Sequence, residues 1–66
     1  MSQLGQQVSL IYKEIHSKNG ELIRAEVVEA DEDEGNAARY VKLYNLQLPA
    51  DVKKQTVFKY HNVVIN

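Results

Sequence analysis

Asn19-Gly20, set between two apolar runs, constrains this chain more than any other dipeptide in it. Val8 to His16, on its N-terminal side, carries Val8, Ile11, Tyr12 and Ile15; Glu21 to Ala30, on the other, carries Ile23, Val27 and Val28. Asn-Gly in this setting is the strongest short-range sign of a β-hairpin, because a type I′ turn needs φ > 0 at both central residues. With the pair at the tip, Lys18 faces Glu21, His16 faces Ile23, Lys13 faces Glu26, Tyr12 faces Val27 and Ile11 faces Val28. Two opposite-charge pairs and two apolar pairs then lie across from each other, each contributing about 0.2–1 kcal/mol. A helical pattern competes over the first segment, since Leu4, Val8, Ile11, Tyr12 and Ile15 also form one stripe with Ser2 as a cap.

Beyond the hairpin, Asp31-Glu32-Asp33-Glu34-Gly35-Asn36 reads as a charged loop. Tyr40 to Leu48 alternates in part, with Tyr40, Tyr44, Leu46 and Leu48 against Val41 and Leu43, which suggests a third strand. Pro49-Ala50-Asp51 breaks it. Thr56 to Ile65 reads as the last strand, with Val57, Phe58, Tyr60, Val63, Val64 and Ile65. Apolar residues on both faces of several strands suit a strongly curved sheet that also pairs with neighbours.

Length and composition narrow the function classes. Sixty-six residues make one domain, 1–66, with a thin core, because a chain this short buries only about 60% of the surface it exposes when unfolded. It holds no cysteine, so neither disulfides nor thiolate-bound metal can supplement that core, and oligomerisation is the remaining route. The same absence fits a reducing cytoplasm. Eight basic against nine acidic residues give a net charge of −1, without the cationic excess that phosphate binding usually shows. No segment has the length of a membrane span or the layout of a signal peptide, so a soluble, cytoplasmic protein is expected.

The hairpin and the last strand resemble the two motifs of the Sm/LSm family, which includes the bacterial host-factor RNA chaperones. The first motif runs Asn-Gly, four residues, a small residue (usually Gly), five residues and Asp, matched here by Asn19-Gly20, Ala25 and Asp31, with Ile23 and Val27 at its apolar positions. The second, a strand bearing Arg-Gly or Lys-His, is matched by Val57 to Ile65 with Lys59 at the basic position. The resemblance implies an all-β fold: a small, strongly bent, five-stranded antiparallel Sm-like (SH3-type) barrel, with room for at most a short N-terminal helix. It also implies a ring of five to seven copies that binds single-stranded RNA as a chaperone or scaffold. Carried over residue by residue, Asp31 and Asn36 would orient loop and base, Lys59 would contact base or phosphate, and Tyr60 and His61 would add stacking or hydrogen bonding. The chain departs from the family where Ala25 replaces Gly, where Tyr60 replaces the Gly of Arg-Gly, and where no aromatic stands between Asp31 and Asn36.

Other readings compete. The acidic run Asp31 to Glu34 is the ordinary solvated loop or the docking point for a basic protein partner, which makes the domain an interaction or structural module without RNA. Its spacing lacks the calcium-loop pattern, and no metal or cofactor is expected. His16 stands alone near a turn, and the tyrosines fit core or interface. No serine, histidine and carboxylate arrangement marks a nucleophile, so the chain is not expected to be an enzyme. A β-β-α-β domain is a third arrangement, in which Asn36 caps a helix over Ala37–Tyr44 with Ala37, Val41 and Tyr44 on one face.

Overall fold

The computed structural model describes residues 6–65. Its first two strands, β1 (Gln6–His16) and β2 (Leu22–Asp31), form the expected antiparallel hairpin. The turn is of another type. Among the described residues only Gly20 has a positive φ, at 88°, and Asn19 does not, which excludes type I′. The Gly20 N–H donates to the Ser17 carbonyl at 2.9 Å and the Ser17 N–H to the Glu21 carbonyl at 2.8 Å. Lys18 and Asn19 are therefore the central residues of a tighter turn, and Gly20 follows it in the left-handed conformation that a three-residue hairpin loop requires. The Ser17 hydroxyl accepts from the Asn19 and Glu21 N–H groups, each at 3.2 Å.

This different tip resets the register. Lys13 faces Glu26 and Tyr12 faces Val27 as expected, and Lys13 Nζ lies 3.7 Å from Glu26 Oε1. His16, however, faces Leu22, and Ile11 faces Glu29, because β2 is irregular at Ile23 and again at Val28. Each extra residue kinks the strand and strengthens its twist. Two bulges that cannot be read from an apolar pattern separate the observed pairing from the predicted one.

Of residues 40–48, expected as a third strand, all but Leu48 are helical, and the five-stranded closed barrel is thereby overturned. The helix α1 (Glu34–Gln47) starts at Asp33, whose carboxylate accepts from the Gly35 N–H at 2.8 Å. Glu34 in its first turn suits the positive end of the helix dipole. Ala37, Val41, Tyr44 and Leu48 recur at helical spacing, and the same apolar residues produce the partial alternation that resembles a strand. A short helix α2 (Ala50–Lys53) follows Pro49, and β3 (Thr56–Ile65) completes the chain. The order is β-β-α-α-β, with cap Asp33 in place of Asn36. A helix over the first residues falls on 1–5, outside the described residues; β1 already runs from Gln6.

The three strands form an open sheet in the order β2-β1-β3, so α1 carries the chain across β1 from one edge to the other. The β1–β3 pairing is unbroken from Gln6↔Ile65 to Ile15↔Thr56. Gln55 extends it at the hairpin end, where its carbonyl accepts from the His16 N–H at 2.7 Å and its side-chain amide donates to the His16 carbonyl at 3.0 Å.

α1 covers one face of this sheet. Tyr44 packs its ring 5.2 Å from that of Phe58, and its hydroxyl donates to Glu29 Oε1 at 2.6 Å. That bond, with burial and the charges of Glu29 and Tyr40, raises the Tyr44 pKa. Asn45 uses its whole amide on β3: it accepts from the Phe58 N–H at 2.8 Å and donates to the Phe58 carbonyl at 3.0 Å. A neighbouring strand would make the same reciprocal pair, so Asn45 closes the sheet edge at that residue. Between helix and sheet lie Ala37 of α1 and Ile11 of β1, both fully buried, and Ser9, whose hydroxyl donates to Asn62 Oδ1 at 2.6 Å. These three are the buried residues among those described, a very small core.

Candidate functional site

Side chains of a strand alternate between faces, so what α1 covers defines what it leaves open. Ile11 and its partners Glu29 and Tyr60 point to the helix side. Leu10 and Tyr12 therefore point away from it, with Val8, Glu14 and His16 along the same strand. β2 adds Ala25, Val27 and Ala30 to that face, and β3 adds Val57, Lys59, His61, Val63 and Ile65. No helix among the described residues packs there. Val27 is 61% exposed and Ile65 55%, while the residues of the central strand are shielded only by their lateral neighbours.

Within this apolar surface lies one charged cluster. Glu14 Oε1 is 3.2 Å from Lys59 Nζ and 3.1 Å from His16 Nε2. Lys59 reaches it diagonally, since it pairs with Tyr12 while Glu14 pairs with Val57. His16 reaches it from two residues along β1, on the same face. The Glu14 side chain is 14% exposed. Burial pushes its pKa up, but the hydrogen bonds and charges of Lys59 and His16 outweigh that and hold it below the ordinary carboxylate value. The cluster thus has a stable charged state in which carboxylate and ammonium neutralise each other on the open face.

The residues expected to hold RNA do not converge. Lys59 and His61 lie on the open face, whereas Tyr60 between them points to the helix side, where its hydroxyl donates to Glu34 Oε2 at 3.3 Å. Asp31 is paired with Ser9 on that same side and accepts from the Asp33 N–H at 2.8 Å. Asn36 sits in the first turn of α1 and accepts from Arg39 at 2.5 Å. The acidic run is likewise occupied with local structure: Asp31 and Asp33 shape the helix start, and Glu32 accepts from Gln6. Glu14, the centre of the cluster, carries no sequence signal of its own, because only the β1–β3 register reveals that Lys59 falls beside it.

A groove of about 430 Å³ lies between α1 and β3, lined by Lys42, Asn45, Leu46, Lys53, Thr56 and Val57. Its amide, Asn45, is already committed to Phe58, which leaves two lysines and Thr56 as its polar equipment. No group of three or more side chains suited to a metal gathers among the described residues, and no helix there is long and apolar enough to cross a membrane. Comparison with protein-family models, with curated proteins and with solved structures gives no match, so the open face is interpreted from its own chemistry.

Proposed function

We propose that this chain is a small α+β protein-interaction module whose working surface is the open face of its sheet. The observation that carries the proposal is the pattern of β1, which presents Ile11 to the helix and Val8, Leu10 and Tyr12 to the uncovered side. A strand with one solvated face would alternate apolar with polar residues. Here Val8, Leu10 and Tyr12 make the uncovered face apolar, while Ser9 and Lys13 share the helix side with Ile11, and contiguous apolar surface of this kind marks interaction sites.

Electrostatics support the same reading. The basic residue placed for nucleic-acid contact, Lys59, is engaged with Glu14, so a phosphate would have to compete with a carboxylate already in place. Of the acids that a basic partner would seek, Asp31 and Asp33 are engaged in building the start of α1, and Glu32 and Glu34 accept from Gln6 and Tyr60. The ring of five to seven copies was an implication of a closed barrel, and an open sheet does not supply that geometry.

The test uses a fluorescent probe of apolar surface alongside solution mass. The wild-type chain should either bind the probe or associate, and Leu10→Lys should abolish whichever is seen while keeping the far-UV circular dichroism of the fold. A monomeric wild type that binds no probe would overturn the proposal.

A further inference from the structure

We infer that the occupant of the open face is a second copy of this chain, packed face to face so that two sheets lie between two outer helices. The inference rests on the interaction reading above and adds the identity of the partner.

Charge is the first argument. A two-fold interface sets the same patch of one protomer against that of the other, so an uncompensated charge would meet its own kind. The Glu14 carboxylate and the Lys59 ammonium compensate each other within one protomer, 3.2 Å apart. The face can therefore approach its copy without net repulsion, and it has no surplus charge with which to select an acidic or a basic partner.

Area is the second. β1 is 11 residues long. At about 3.4 Å per residue and about 4.8 Å between strands, three strands make a plate of roughly 37 by 14 Å. Its flat projection is about 500 Å² per copy, and the relief of the side chains raises the accessible area above that. Two copies together bury more than about 1,000 Å², the size at which specific interfaces begin.

Stability is the third. Ile11 and Ala37 are the fully buried apolar residues among those described, which is little for a domain without disulfides. A fold this thin gains core from a second layer, and a copy of itself is present at the required stoichiometry from the start. Two sheets stacked about 10 Å apart would turn Leu10, Tyr12 and Val63 into core.

Sedimentation velocity over a wide concentration range tests the inference. The expected result is a mass of two protomers that halves on dilution, with a urea midpoint that rises with protein concentration. Val27→Lys, at an exposed position of the edge strand, and Leu10→Lys, at the centre of the face, should each halve the mass at concentrations where the wild type is paired. Leu43→Lys, on the outer surface of α1, should leave it unchanged. If Leu10→Lys does not fold, Val27→Lys carries the test alone. A single-protomer wild type at every concentration overturns the inference, as does a pair that both face variants leave intact, or a mass of five to seven protomers. A single-protomer chain that still binds the apolar probe, and loses it in Val27→Lys, overturns the second copy as occupant while the interaction reading stands.

Discussion

Along β1 two neighbouring residues meet opposite fates. Ile11 is sealed beneath α1, whereas Leu10, one position earlier, lies on a face that none of the described elements covers. The two faces also treat polar groups differently. On the helix side, hydroxyls and amides are satisfied by specific partners: Ser9 by Asn62, Tyr44 by Glu29 and Asn45 by Phe58. On the open side, the polar equipment is concentrated in the cluster of Glu14, Lys59 and His16 amid apolar neighbours. The difference teaches that polar groups on the helix side have specific partners, while among the described residues the open side keeps its apolar side chains uncovered.

The sharpest way to break that comparison is to delete the same kind of side chain on each face. Ile11→Ala should cost roughly 2–5 kcal/mol in urea unfolding, through lost burial and a cavity that the helix cannot fill. Leu10→Ala, measured on separated protomers, should cost only about 1 kcal/mol, because the side chain leaves little packing behind. Equal losses for both variants would mean that the faces do not differ.

The next effect comes from the edge of the helix side. Asn45→Asp keeps an acceptor for the Phe58 N–H but turns an oxygen toward the Phe58 carbonyl, so it should destabilise by about 1–3 kcal/mol. Asn45→Ala, which merely empties the position, should cost less, and chemical denaturation of the pair checks the order. Asp33→Ala removes the cap of α1 and should cost about 1 kcal/mol, with a small loss of helical circular dichroism.

The smallest effect belongs to the open face. The folded-state pKa of Glu14 lies below its ordinary value of 4.5, so the stability it contributes is fully present above that value. It is lost as pH falls through the folded pKa. Urea midpoints measured below pH 4.5 should therefore fall more steeply for the wild type than for Glu14→Gln, and parallel curves would remove Glu14 from the account.

How much of this was legible beforehand follows from the range of each interaction. The hairpin, and the pairs Lys13–Glu26 and Tyr12–Val27, were set by local residues and could be read from them. The turn type was not, because Gly20 satisfies a loop with one left-handed residue as well as one with two. Residues 40–48 carried a helical repeat and a partial alternation together, and tertiary packing of Tyr44 on Phe58 decided between them. The start of α1 was signalled by the acids before Ala37, which favour a helix N-terminus, although they also resemble a plain solvated loop. Of the candidate site, Lys59 and His61 were named from the chain and do share a face. Glu14 was not, since its place beside Lys59 depends on a strand pairing that spans most of the molecule.

That long pairing has a consequence for how the molecule comes together in time. β1 and β2 are joined by a tight turn and can zip as soon as both exist, but the other side of β1 waits for β3. Gln6 pairs with Ile65 and Ile15 with Thr56, so even the nearest of these contacts closes a loop holding β2 and both helices. Contacts of such sequence separation slow folding, because loop-closure entropy is lost before they contribute. In the interval, the central strand presents an unpaired edge together with Ile11 on one face and Val8, Leu10 and Tyr12 on the other. The chain is thus most vulnerable to misassembly just before α1 sets β3 against β1, and the speed of that docking governs how much of it survives to the native state.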